Sequence, residues 1–319
     1  MSRTSDLVDG LLEASVVGSF TRVGIALRRR AEGWRSLAQY DLRGRTIVIT
    51  GATSGLGRAT AAALVAAGAH VVVVARSRSK AEATCAALGE RASFAVCEMG
   101  DLGAVREAAG EIARAHPAVH ALVHNAGALD DVRSESRQGI EQTVASQVVG
   151  PFLLTHLLLD PLKAGAPSRV IWVSSGGMYS EDLSVANLEM PARGYDGVVA
   201  YARAKRAQVT LAEMMAERLG PSGVVVHAMH PGWADTPGVE RSLPTFRRLT
   251  GPLLRTPEEG ADTLAWLAAD DGEPLRTRGL FWLDRRPRAL HRLPRTRRSD
   301  TPAERERLWR WVVDKSGLA

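Results

Sequence analysis

Two segments, far apart along the chain, carry residue types and spacings suited to one chemistry. The stretch Thr50-Gly51-Ala52-Thr53-Ser54-Gly55-Leu56-Gly57 follows an apolar run and opens an alanine-rich helical pattern. A strand, a glycine-rich turn and a helix N-terminus in that order can cradle a pyrophosphate. Gly51 permits the tight turn, Gly55 and Gly57 let backbone and helix come close, and the helix's positive end faces the anion. The second segment, Tyr201-Ala202-Arg203-Ala204-Lys205, puts a phenol and an ammonium one turn apart on one helical face. An adjacent positive charge favours phenolate and lowers a phenol's pKa from its usual ~10. A bound dinucleotide beside an acidified tyrosine predicts hydride transfer coupled to proton transfer at a carbonyl or alcohol.

The end of the second strand bears on which dinucleotide. An acidic residue there would accept hydrogen bonds from the adenosine ribose and repel a 2′-phosphate. This chain has Ala75-Arg76-Ser77-Arg78 instead. A guanidinium can grip a phosphate bidentately, so Arg76 favours NADP(H) over NAD(H).

These residues need elements to hold them. Strand-like runs at 45–50, 69–75, 92–97, 121–124, 169–174, 224–229 and 279–283 include several that are nearly continuous Val, Ile and Leu. That composition fits strands buried on both faces. Helical patterns at 60–67, 80–88, 104–115, 140–159, 201–219 and 257–269 separate most of them. The alternation predicts an α/β, doubly wound, mainly parallel sheet with helices on both faces.

The glycine pattern, Asn125-Ala126-Gly127 after the fourth strand, Ser174-Ser175 after the fifth, Tyr201-x-x-x-Lys205, and Pro231-Gly232 after the sixth resemble the short-chain dehydrogenase/reductase superfamily. The match runs over about residues 42–284. It implies a Rossmann fold of seven strands in the order 3-2-1-4-5-6-7 and a carbonyl–alcohol oxidoreductase. The resemblance makes Tyr201 the general acid or base and Lys205 its partner, also holding the nicotinamide ribose. Ser175 becomes the donor to the substrate oxygen, and Ser174 the end of the strand. Cofactor contacts carry over to Thr50, Gly51, Thr53, Ser54, Gly55, Leu56, Gly57, Arg76, Asn125, Ala126, Gly127, Tyr201, Lys205, Pro231, Gly232 and Thr236. Two positions depart from the family pattern. Gln147 stands where an asparagine usually completes a proton relay near the lysine, and Glu98-Met99 stand where Asp-Leu usually lies beside the adenine. Glutamine keeps the amide on a longer arm, and Glu98 can make the same kind of hydrogen bond.

Residues 1–41 form an N-terminal helical extension in this reading, 42–284 the catalytic domain with a lid at about 233–256, and 285–319 a basic connection and C-terminal helix. Leu243, Phe246, Leu249, Leu253 and Leu254 give the lid an apolar face, which suits a small lipophilic carbonyl or alcohol. Leu7, Leu11, Leu12, Val16, Phe20, Val23 and Leu27 suit an amphipathic helix. Packing across the core is the preferred reading and peripheral contact with a membrane the alternative. Thr301-Pro302-Ala303-Glu304 predicts the cap of a terminal helix that docks Leu308, Trp309 and Val312. Homodimers through the fourth and fifth helices are common in the family, but the extra termini stand in their way.

The chain of 319 residues is 45% hydrophobic and 24% charged, with a net charge of +6. Arg285, Arg286, Arg288, Arg292, Arg295, Arg297 and Arg298 concentrate that charge. No aromatic stacking platform or base-reading motif accompanies them, so a solvated connection is expected and no nucleic-acid partner. Cys85 and Cys97 make neither a disulfide framework nor a metal-ligand spacing. No metal is expected, and His227 and His230 read as structural. Asp6, Asp9 and Glu13 interrupt the first apolar stretch, against a secretory signal. No uncharged apolar run approaches the ~20 residues of a membrane span. A cytoplasmic location follows as the expectation. The competing class is a catalytically weak NADP(H)-binding sensor or scaffold, motivated by Gln147 and opposed by intact Ser175, Tyr201 and Lys205. An extended-branch sugar-nucleotide enzyme is opposed by the Gly-x-x-x-Gly-x-Gly spacing.

Overall fold

Runs of β-branched residues set the sheet. The computed structural model describes residues 3–318. Its strands are β1 (Thr46–Thr50), β2 (His70–Ala75), β3 (Ala92–Val96), β4 (Ala121–His124), β5 (Ser168–Val173), β6 (Val224–Met229), β7 (Phe281–Leu283) and β8 (Arg286–Arg288). They lie in the order β3-β2-β1-β4-β5-β6-β7-β8. Every pairing is parallel except the last, where Leu283 opposes Arg286 in an antiparallel hairpin. The order expected for seven strands holds, and β8 extends it.

Before β1 come α1 (Arg3–Glu13), α2 (Val16–Phe20) and α3 (Arg22–Glu32). Three crossover helices follow, α4 (Gly55–Ala66), α5 (Arg78–Leu88) and α6 (Leu102–Ala115). Between β4 and β5 lie α7 (Gln142–Val144), a π-helical turn (Ala145–Val149), α8 (Gly150–Leu157) and α9 (Leu159–Ala164). The long α10 (Gly197–Leu219) leads to β6. Beyond it are α11 (Pro237–Ser242), α12 (Pro244–Thr250), α13 (Pro257–Ala269) and α14 (Glu273–Arg276). Past β8 the chain ends in α15 (Pro294–Ser299) and α16 (Pro302–Ser316).

Successive strand residues alternate between two cores. Ile47, Ile49, Val71 and Val73 share one with Leu64 of α4 and Leu264 of α13. Val48, Val72 and Leu122 share the other with Val105 of α6, Phe152 of α8 and Met215 of α10. Leu308 and Val312 of α16 are fully buried in that second core, as the capping motif predicts. Each contributes roughly 1.5–3 kcal/mol by burial. At the switch between β1 and β4 the strand order reverses, opening a crevice at their C-terminal ends.

Two expectations for the extensions are corrected. The N-terminal pattern is not one helix. Ser15 caps α2 by accepting from Gly18 N at 2.8 Å, and Gly33 closes α3 with φ +60°. The arginine-rich connection is solvated only in its later part: Arg295, Arg297 and Arg298 are exposed, whereas Arg285, Arg286 and Arg288 turn inward. Asp284 and Arg285, each at φ 55°, form a two-residue turn that folds β8 back on β7. Arg285 Nε then meets Asp262 at 2.8 Å, Arg286 Nε meets Glu32 at 2.6 Å, and Arg288 Nη1 meets Asp9 at 2.7 Å. Glu32 and Asp9 of the N-terminal helices, with Asp262 of α13, are the counter-charges of this inward-turned segment.

Candidate active site

The glycine loop sits at the β1–β4 crevice. Gly51 has φ +69°, and a Cβ there would lie 2.9 Å from Ala126 Cα. A Cβ on Gly57 would meet Gly51 O at 2.4 Å, so only glycine lets α4 start this close to the turn. Thr50 Oγ1 accepts from Asn125 N and Ala126 N, both at 3.0 Å. Asn125 Nδ2 donates to Thr50 O at 2.9 Å and Gly51 O at 3.1 Å. These bonds lock the turn after β1 to the turn after β4. Ser54, the N-cap of α4, makes no side-chain cap, so the helix's positive end is left to an incoming anion. Thr53 lies in the turn before this cap and Leu56 in the first turn of α4.

Thr236 Cβ is 3.3 Å from where a Cβ of Gly55 would be, which brings the segment after Pro231-Gly232 onto the loop. Gly232 has φ +73°. Arg76 is largely exposed, with Nη1 4.0 Å from Glu98 Oε2. Met99 is buried, its carbonyl oxygen set where only the glycine at 150 allows α8 to pass.

The catalytic candidates converge at the end of β5. Ser174 Oγ donates to Lys205 O at 3.1 Å, tying the strand's end to α10. Ser175 Oγ accepts from Gly177 N at 3.3 Å, and its side chain faces the Tyr201 phenol and acts to lower its pKa. Asp196 caps α10, accepting from Val198 N at 2.8 Å and Val199 N at 3.1 Å. The helix thus begins four residues before Tyr201 and holds Tyr201 and Lys205 on continuous helix. Lys205 Nζ donates to Val173 O at 2.9 Å and lies 5.1 Å from the centre of the Tyr201 ring.

Burial dominates the titration of both groups. It raises the Tyr201 phenol to about 12, against the lowering influence of Ser175, and pushes the Lys205 ammonium down to about 7. Burial thus opposes the acidification of the tyrosine that the sequence predicts. The lysine faces the ring and Val173 O, and burial weakens, without removing, the positive charge it offers the phenol.

Gln147 belongs to this cluster. A Cβ on Gly127 would lie 3.0 Å from Gln147 Oε1 and 3.4 Å from Lys205 Nζ. Gln147 Nε2 donates to Ala128 O at 2.6 Å, while Oε1 is buried without a hydrogen-bond partner. The π-helical turn carries Gln147, and its backbone carbonyl accepts from Gln208 Nε2 at 2.6 Å. Gln208 escaped sequence reasoning, because its only signal is a position on the buried face of α10 just past Lys205. His227 and His230 are buried away from this cluster, His227 Nε2 beside Pro274 O at 2.8 Å and His230 stacked on Phe281. Among the described residues, no group of three or more His, Cys, Asp or Glu could hold a metal ion.

Comparison with known proteins agrees with this geometry. The short chain dehydrogenase family matches residues 45–245. The chain is a short-chain dehydrogenase/reductase. It is 34% identical over 275 residues to human dehydrogenase/reductase SDR family member 12, covering 85% of this chain and 86% of that protein. It is 32% identical over 273 residues to human retinol dehydrogenase 13, covering 81% and 82%. Among solved structures, an uncharacterized protein from Mycobacterium paratuberculosis superposes with a TM-score of 0.72 at 25% identity, over 89% of this chain and 97% of that one. As a short-chain dehydrogenase/reductase, the protein is an NAD(P)-dependent oxidoreductase.

Proposed function

We propose that this short-chain dehydrogenase/reductase interconverts a carbonyl and an alcohol on a small lipophilic substrate, prefers NADP(H), and uses Tyr201 as its acid/base. The observation that carries the reading is the meeting of Ser175, Tyr201, Lys205 and Gln147 at the end of β5, beside the glycine cradle. A nicotinamide cofactor held by that cradle supplies or accepts the hydride. The chain's residues handle the proton. In reduction the Tyr201 phenol gives its proton to the carbonyl oxygen while Ser175 donates a hydrogen bond where charge develops. A phenol held at about 12 is well protonated at neutral pH and suits the acid role. In the oxidative direction the positive charge of an oxidised nicotinamide and of Lys205 favours phenolate. Gln147 Oε1, a buried acceptor near the Lys205 ammonium, is placed to take part in returning the proton. Glu98 and Met99 would flank the adenine, and exposed Arg76 would grip a 2′-phosphate.

A lipophilic substrate is supported by the half-buried Leu243 and Phe246 and the exposed Leu249 and Leu253 of the lid. The retinol dehydrogenase named among the relatives acts on a substrate of that class by its name. Exposed Leu7, Leu11, Val16, Val17, Val23 and Leu27 on the N-terminal helices, with Arg22, Arg29 and Arg30 also exposed, support peripheral membrane contact. Among the described residues, no helix is long and apolar enough to cross a membrane. In a homodimer the partner would meet α16 rather than bare α8 and α10, which α16 covers. Consumption of NADPH and NADH against a panel of aldehydes and ketones tests the reading. Tight NADPH binding with no turnover on any of them would favour a cofactor-sensing protein instead.

A further inference from the structure

The N-terminal helices reach the active site at one point. Phe20, the last residue of α2, is 3% exposed although it lies outside the segment matched to the family. Its ring fills the space a Cβ of Gly176 would need, 2.6 Å away, on the loop that directly follows Ser175. The ring also packs on His230 at 4.5 Å and on Trp233 at 6.1 Å, both edge-on, and Trp233 meets Phe246 of α12 at 5.1 Å. A row of rings therefore runs from the end of the sheet, through Phe20, to the lid.

The backbone makes the same connection. The lid, α11 and α12, leaves and rejoins the body through a narrow neck. Arg255 N donates to Trp233 O, and Asp235 N donates to Arg255 O, both at 2.8 Å. Phe20 O accepts from Trp233 N at 2.8 Å, so the N-terminal segment adds to the neck like a third short strand. Arg255 also donates from Nη2 to Ser19 O at 2.9 Å and from Nε to Thr21 O at 3.2 Å. Fully buried Asp284 joins Arg255 and Arg28 with contacts of 2.6 Å each, fastening α3 to the same neck.

We infer that the N-terminal helices clamp the lid's neck and that Phe20 is a positioning residue for the substrate side of the site. It acts through Trp233 and the Gly176 loop. The inference rests on the oxidoreductase reading only for its substrate arm. A lid held at both ends of its neck closes on substrate in one pose, and a loosened neck weakens binding of substrate more than the chemical step.

The test uses the full chain with Phe20→Ala, the bulk-restoring Phe20→Leu, and Leu11→Ser as an exposed control on the same extension. Amide exchange in residues 230–256 should quicken by about tenfold in Phe20→Ala relative to strands β1–β6. It should recover in Phe20→Leu and not change in Leu11→Ser. Among carbonyl probes that the wild type reduces with NADPH, the Phe20→Ala KM should rise by about tenfold while kcat stays within a few-fold. Unchanged exchange at 230–256, or exchange quickened evenly throughout the chain, would overturn the clamp. Quickened exchange with an unchanged KM would overturn the substrate-side role. If the wild type reduces no probe, the functional reading has failed, and the exchange measurement alone decides the clamp.

Discussion

In the proposed reading the chemistry rests on Tyr201 and Lys205, and the cofactor preference on Arg76. Tyr201→Phe removes the phenol proton and keeps the ring against Lys205. Turnover should fall by about 10²–10⁴, while NADPH affinity by fluorescence titration stays near wild type. Lys205→Ala should harm both if, as proposed, the ammonium serves the tyrosine and the cofactor ribose alike. A Tyr201→Phe enzyme within a few-fold of wild type would remove Tyr201 from the mechanism. At the other end of the cofactor, Arg76 is exposed and 4.0 Å from Glu98. Arg76→Asp replaces a phosphate grip with repulsion and should invert the preference from NADPH to NADH in the same titration. Equal wild-type affinity for the two would sink the argument before the variant is made. The identities of these residues were legible because each carries a distinctive functional group at a fixed spacing from another. Their electrostatics were not. The direction of the Tyr201 shift depends on how deeply the pair is buried and where Lys205 Nζ points, and neither is written in a five-residue spacing.

The strands and crossover helices were legible because apolar runs of the right length report burial directly. Helix starts were less so: α4 begins at Gly55 and α10 at Gly197, several residues ahead of the periodic pattern. Small and polar residues in a first turn give no periodicity. The β7–β8 hairpin lacked any sign, since its turn uses Asp284 and Arg285 at positive φ rather than Asn-Gly. The approach of α4 to the turn after β1 gives the element-level prediction. In Gly57→Ala the new methyl would meet Gly51 O at 2.4 Å and Asn125 Nδ2 at 2.5 Å. Overpacking of this kind costs ~1–3 kcal/mol, and it pushes the helix N-terminus off the phosphate position. NADPH affinity should drop by at least about tenfold, alongside a lower denaturation midpoint. Gly110→Ala on α6, where a Cβ meets nothing, should instead be neutral or stabilising by up to ~1 kcal/mol. Wild-type NADPH affinity in Gly57→Ala would show that the turn has slack absent from this geometry.

Across the protein, the shifts of several buried titratable groups combine into a pH dependence of stability. His124, inside the second core beside Thr155, is driven by burial from 6.5 to about 3, and His230 is lowered as well. Between pH 6.5 and 3 the unfolded chain binds protons that the folded chain refuses, so stability falls as pH drops through that window. Asp9, held at about 2 against its burial by Arg288 and Arg28, adds a further loss below 3.8. On the alkaline side Lys205 has the corresponding sign. Its folded value of about 7 lies below 10.5, so the unfolded chain is the better proton binder from pH 7 to 10.5 and stability rises with pH there. Above about 10 the trend reverses, because Tyr40, Tyr195 and Tyr201, each raised to about 12, keep protons that the unfolded chain gives up. The urea midpoint of the wild type should therefore climb from pH 5 to 7 and continue to climb to about pH 9. A single group of this kind contributes at most ~1.4 kcal/mol per pH unit. Lys205→Met keeps the length of the side chain and removes the charge that burial penalises, so its midpoint should be flat between pH 7 and 9 while its acid limb matches wild type. If both proteins show the same slope above pH 7, Lys205 is charged in the folded protein at that pH. Its ammonium would then bear fully on Tyr201, and the phenol's pKa should be measured below 10.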